Sequence, residues 1–127
     1  SISPFPAILE DIAVVVDEKI TAGEVENVIR QAGGKLLQSV ELFDIFRNEQ
    51  IGAGKKSLAY SLKYQSDEKT LTDSDATAVR NKIIKRLDQV LGAKLRSWML
   101  FRQTDRFVPF DWGIIEQYGK FIRTVLY

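Results

Sequence analysis

Cysteine and histidine are both absent from this chain. The first absence excludes a disulfide frame and thiolate chemistry, and the second removes the commonest metal ligand and general base. No apolar run is long enough to span a bilayer, and the opening residues carry no signal-peptide pattern. Neither sign of charge dominates: 18 basic residues face 17 acidic ones, for a net charge of +1. That balance is weak for a protein gripping a nucleic-acid backbone over many phosphates. Any nucleic-acid contact is therefore expected to be local, through a few bases, with a larger partner surface supplying the remaining affinity.

An apolar content of 45% and a charged content of 28% over 127 residues mark a soluble globular protein. The length suits one ordinary domain with an appendage, and it suffices to bury a core. The missing thiols and imidazoles agree with a reducing, cytoplasmic setting. The opening Ser1-Ile2-Ser3-Pro4, without an initiator methionine, has the look of a cut inside a longer polypeptide.

Leu9 to Val16 is an apolar run rich in β-branched residues, a buried strand by composition. Thr21-Ala22-Gly23-Glu24 is a capping box, and Val25, Val28, Ile29 and Ala32 follow it on one helical face. Gly33-Gly34 supplies a left-handed stop. Leu36 to Arg47 reads as a strand with Phe43 and Ile45 on one side and Leu42, Asp44 and Phe46 on the other. After a glycine-containing turn, Lys56 to Gln65 alternates Leu58, Tyr60, Leu62 and Tyr64 with Ser57, Ala59, Ser61 and Lys63.

A second helix opens at Thr72, buries Ala76, Val79, Ile83, Leu87 and Val90 or Leu91, and ends at Gly92. Ala93 to Ser97 is a short fourth strand, with Leu95 inward and Lys94 and Arg96 outward. The order β-α-β-β-α-β predicts an α+β, ferredoxin-like split βαβ sandwich: a four-stranded antiparallel sheet with two helices on one face and the other face open. Residues 1–97 make that domain. Residues 98–127 form an aromatic extension, with Ile114, Ile115, Tyr118, Phe121, Ile122 and Val125 suggesting a helix after Asp111.

On such a sheet Asp44 and Phe46 share a face, Ser57 lies across the hairpin, and Arg96 emerges from the last strand. An exposed aromatic is a platform for a base, worth about 1–3 kcal/mol on truncation. A carboxylate beside it can accept from N1–H and the exocyclic amine of guanine, the one standard base presenting that donor pair on its Watson–Crick edge. Arg96 can stack on the base or hold a phosphate, and Ser57 can donate to a base or sugar oxygen. The plainer reading of these residues is sheet packing for Phe46 and a weak surface ion pair between Asp44 and Arg96. Asp44 between Phe43 and Ile45 lowers β propensity without helping a core.

The segments Phe5-Pro6-Ala7, Asp11 to Val16, Leu42-Phe43-Asp44-Ile45-Phe46, Gly54 to Ala59 and Lys69-Thr70-Leu71-Thr72-Asp73 are similar, in order and spacing, to one known family. The stretch from Phe5 to Arg96 resembles the ferredoxin-fold anticodon-binding domain that ends the β chain of bacterial phenylalanyl-tRNA synthetases. The resemblance implies that the hairpin and last strand bind the tRNA anticodon and recognise its first base, a guanine. It places the RNA-binding aspartate, aromatic, serine and arginine on Asp44, Phe46, Ser57 and Arg96. It implies no catalysis and no cofactor in this portion; ATP and magnesium would serve the parent ligase, whose α chain and remaining β-chain domains would be partners. Where the family commonly has arginine before the first-strand aspartate, this chain has Glu10, and where it often has tyrosine, this chain has Phe46.

Two other classes fit the same fold. A regulatory or oligomerisation module would bind a small metabolite or a partner chain, and the aromatic tail favours it. An acylphosphatase-like enzyme would need an arginine-bearing loop after the first strand, whereas Asp17-Glu18-Lys19 stands there.

Overall fold

The structure, a computed structural model, describes residues 3–102. Strand β1 (Ile8–Asp17) leads to helix α1 (Ala22–Gly33), strands β2 (Leu37–Phe46) and β3 (Lys55–Tyr64), helix α2 (Asp73–Leu91) and strand β4 (Lys94–Arg102). The sheet order is β2-β3-β1-β4 with every neighbouring pair antiparallel, which is the expected ferredoxin-like arrangement. The terminal helix expected after Asp111 lies outside the described residues.

Local chemistry explains the boundaries. Thr21 and Glu24 form the capping box of α1, and Thr72 and Asp75 form an equivalent one on α2. Gly92 closes α2 in the left-handed conformation, at φ 65° and ψ 18°. At the end of α1 the two glycines divide the task. Gly34 takes the positive φ of 65°, while Gly33 stays helical and buried, where any Cβ would strike the Leu37 side chain. The β1–α1 loop is fastened by Arg47, which donates to both Glu18 carboxylate oxygens at 2.8 and 2.7 Å. Lys56 also folds back onto the Glu18 carbonyl at 3.0 Å, so the Lys55-Lys56 pair is partly structural.

One core lies between the sheet and the helices. Ile8, Ile12, Val14 and Val16 of β1 join Leu58, Tyr60, Leu62 and Tyr64 of β3 against Val25, Val28, Ile29, Val79, Ile83 and Leu87. Both helices therefore cover one face. The alternate residues Leu9, Asp11, Ala13 and Val15, with Ser57, Ala59, Ser61 and Lys63, belong to the other face.

Two expectations change. The parity grouping of Leu42 with Asp44 and Phe46 fails, because a bulge separates them: Leu42 pairs with core-side Tyr60, while Asp44 pairs with Ala59 and Phe46 with Ser57. One extra residue reverses which way everything before it points. The fourth strand, expected to stop at Ser97, continues to Arg102 and pairs along β1 as far as Ile8. In sequence, Trp98, Met99, Leu100 and Phe101 read as the start of an aromatic appendage; in the fold they complete the sheet.

Candidate nucleic-acid interface

The face away from the helices, the expected open face, is built from rows of cross-strand partners, and along its middle Asp11, Ala13, Ser57 and Ala59 are buried. Phe46, Ser57 and Val15 form one row; Asp44, Ala59, Ala13 and Ser97 form the next. Ala13 and Ala59 make a small buried cluster apart from the main core, so the middle of this face is a floor without bulk. Larger side chains stand at its two edges.

Phe46 and Arg96 occupy opposite edge strands, roughly 14 Å apart at three strand spacings. Their side chains nevertheless approach across the floor, with the Arg96 guanidinium carbon 6.0 Å from the centre of the Phe46 ring. A second bulge falls at this point of β4. Ala13 pairs with Ser97 and Val14 with Leu95, which leaves Arg96 as the unpaired extra residue of β4.

The polar atoms here are conspicuous for what they do not bind. Ser57 is 1% exposed, and among the described residues neither its hydroxyl nor the buried Arg96 Nη1 has a hydrogen-bond partner. Burial depresses the Arg96 guanidinium below its ordinary pKa. No ion pair joins Asp44 to Arg96 among the described residues, so the surface-pair explanation of Asp44 does not hold. Buried polar groups nearly always find partners, so these two donors on one face stand out. Ser57→Ala should consequently raise the stability of the free domain by about 1 kcal/mol, by removing an unsatisfied buried hydroxyl. Urea unfolding measures this, and a loss of stability would show that the hydroxyl is satisfied in the free protein.

All four residues singled out in the sequence thus lie on the open face or reach across it. Asp11, missed as a member of the face, is there too: it is 5% exposed and pairs with Ser61 on one side and Met99 on the other. Its signal in the sequence is an acid inside the largely apolar run from Leu9 to Val16.

Glu10 points the opposite way. It is fully buried on the helix side, where Tyr64 Oη donates to it at 2.7 Å and Arg80 Nη1 at 2.9 Å. Burial raises the Glu10 carboxyl above its ordinary pKa, against the pull of Tyr64 and Arg80. The same burial, aided by Glu10, raises the Tyr64 phenol. Arg80 also lies 4.0 Å over the Trp98 ring. A glutamate at position 10 is thus a packing residue and has no route to the open face.

A four-stranded antiparallel sheet backed by two helices, with an aromatic, an acid, a serine and an arginine on the face away from them, defines a ferredoxin-like module. The chain belongs to the ferredoxin-fold anticodon binding domain family, whose family model matches residues 3–96. It is 50% identical over 92 residues to the phenylalanine–tRNA ligase beta subunit of Clostridium acetobutylicum, covering 72% of this chain and 12% of that protein. It is 50% identical over 96 residues to the same subunit of Bifidobacterium longum, covering 76% and 11%, respectively. The Bacillus subtilis subunit is 43% identical over 96 residues, covering 76% and 12%. The chain therefore spans only about an eighth of the length of these relatives.

Proposed function

We propose that this chain is the anticodon-binding module of a phenylalanine–tRNA ligase beta chain and recognises the first anticodon guanine on its open sheet face. The observation that carries the reading is the joint placement of Phe46, Asp44, Ser57 and Arg96 around the Ala13–Ala59 floor, with two buried donors unfilled. Phe46 stacks on the base, and the Asp44 carboxylate accepts from N1–H and the exocyclic amine. Ser57 and Arg96 donate to base, sugar or phosphate oxygens. A base between ring and guanidinium needs roughly 7 Å, two contacts of about 3.5 Å, so Arg96 yields by about 1 Å or turns to a phosphate.

In this reading the module selects and positions tRNA. Attachment of phenylalanine, with ATP and magnesium, belongs to the larger cytoplasmic ligase and its α chain. Among the described residues there is no group of three or more acidic side chains placed to hold a metal, and no helix long and apolar enough to cross a membrane.

The test is made on the RNA. An anticodon stem-loop should bind best with guanine at the first position, about tenfold weaker with inosine, which keeps N1–H but lacks the amine, and weaker still with adenine. Equal affinity for all three removes base readout by Asp44. With a net charge of +1, the salt dependence should be shallow.

A second reading has its own observation. The edge strand β2 exposes Leu42, Phe43 and Ile45, at 37%, 45% and 44%, and an apolar edge invites pairing with another copy. Light scattering that shows a dimer, together with no stem-loop binding, would favour an association module.

A further inference from the structure

On the helix side of the sheet, the Glu10–Arg80–Trp98 cluster plays no part in the site just described, yet it sits directly behind it. We propose that these three residues form a register lock on β4: by holding the Trp98 ring against Arg80, they fix the bulge that keeps Trp98 and Leu100 off the open face, where Arg96 stands.

Strand parity decides which side chains share a face. In the observed register Leu95 pairs with Val14, Arg96 bulges, Ser97 pairs with Ala13, Trp98 with Ile12 and Leu100 with Glu10. Trp98 and Leu100 therefore share the helix side with Ile12 and Glu10. Leu100 packs against the main core, and Trp98 lies under the Arg80 guanidinium at 4.0 Å.

A regular strand without the bulge would pair Arg96 with Ala13, Ser97 with Ile12, Trp98 with Asp11 and Leu100 with Leu9. Because side chains alternate, that slip moves Trp98 and Leu100 onto the open face and brings Ser97 and Met99 to the helices. An indole opposite Asp11 would stand beside the Ala13–Ala59 floor and obstruct a base. β4 is an edge strand held by one neighbour, so the strand alone selects between the two registers weakly.

The selecting interaction is the Arg80 cation over the indole. Arg80 can hold its guanidinium there because Glu10 anchors it at 2.9 Å, with Tyr64 fixing the other carboxylate oxygen. Glu10 is therefore suited to an acid for a reason unrelated to RNA. The family match ends at residue 96, while β4 runs on to Arg102, so the lock joins matched residues to the strand beyond them. Glu10, Arg80 and Trp98 act through the register of β4 as positioning residues, by keeping the indole off the open face. Their effect on RNA rests on the anticodon reading above, whereas their effect on register does not.

The full 127-residue chain can be tested by nuclear magnetic resonance and by stem-loop titration. The wild type should show cross-strand proximity between Ile12 and Trp98. The variant Glu10→Gln/Arg80→Gln keeps a hydrogen-bonding pair but removes the cation. It should acquire Asp11–Trp98 proximity and bind the stem-loop about tenfold more weakly, the loss of roughly one cation–π or stacking contact. If that variant does not fold, Trp98→Thr leaves the buried pair intact and should disturb the Ala13–Ser97 pairing, while Trp98→Phe should restore both pairing and affinity. Retention of the Ile12-to-98 register and full affinity in the double variant, or in Trp98→Thr, overturns the lock. Failure of the wild type to bind RNA, with the register still dependent on Arg80, would overturn the anticodon reading and leave the lock standing.

Discussion

Arg80→Ala is expected to destabilise the domain by about 3–5 kcal/mol, more than truncation of an ordinary half-buried residue. Arg80 and Glu10 are a salt bridge of 2.9 Å with side chains 10% and 0% exposed, and removing one partner leaves the other as an uncompensated buried charge. Tyr64 alone can then support the carboxylate. The pH dependence has a definite sign. Glu10 is an acid whose folded pKa is raised, chiefly by burial, so the stability it confers is fully present below the ordinary carboxylate pKa and is lost as pH rises through the folded value. Loss of Arg80 removes two of the opposing influences and extends that window upward. The deficit of Arg80→Ala should therefore be largest near pH 7 and narrow toward about pH 4.5, where glutamate is commonly half-protonated. Guanidinium unfolding of both proteins at the two pH values checks this. A pH-independent loss below about 1 kcal/mol would show that the pair is not the buried ionic contact described. Replacing the network as a unit, with Glu10→Leu, Arg80→Met and Tyr64→Phe, should recover most of the stability, because no polar atom is then left unsatisfied.

That network also marks the limit of what sequence pattern conveys. Capping boxes at Thr21 and Thr72, the alternation from Ser57 to Tyr64 and the apolar stripe of α2 are local signals, and the observed elements follow them. The order of elements then leaves few topologies. Arg80 was illegible because a charged residue inside α2 ordinarily belongs to a solvated face; only Glu10, seventy positions away, explains its burial. Glu10 in turn was legible as an oddity but not as to side, since β1 is covered on both faces and parity there carries little contrast.

The two bulges are the other source of difference. Strict alternation put Leu42 with Asp44 and ended β4 at Ser97. A bulge is a non-local compromise between two registers, and neither Phe43 nor Arg96 announces one by composition. The pairing of Asp44 and Phe46 survived because both follow the bulge. Had it fallen one step later, they would lie on opposite faces.

For the same reason the double variant Asp44→Ala/Phe46→Ala should nearly abolish stem-loop binding, the largest functional effect expected here. Stacking on Phe46 is worth about 1–3 kcal/mol, and hydrogen bonds to a charged acceptor about 1.5–3 kcal/mol. The residues are two apart on one strand face and would touch the same base, so their effects should couple and not simply add. The single variants should differ in kind. Phe46→Ala should lower affinity for every first-position base alike, because each has a flat face to stack, and Phe46→Tyr should preserve affinity. Asp44→Ala should abolish the preference for guanine over inosine and adenine while leaving weak stacking. Both side chains are only half-buried and neither belongs to the main core, so unfolding free energies should shift by about 0.5 kcal/mol or less. Isothermal titration beside urea unfolding separates these outcomes. Unchanged affinity in both single variants would remove this face from RNA recognition. A chain of nearly balanced charge has little phosphate attraction to fall back on, so the loss of one acid and one ring should leave almost nothing to measure.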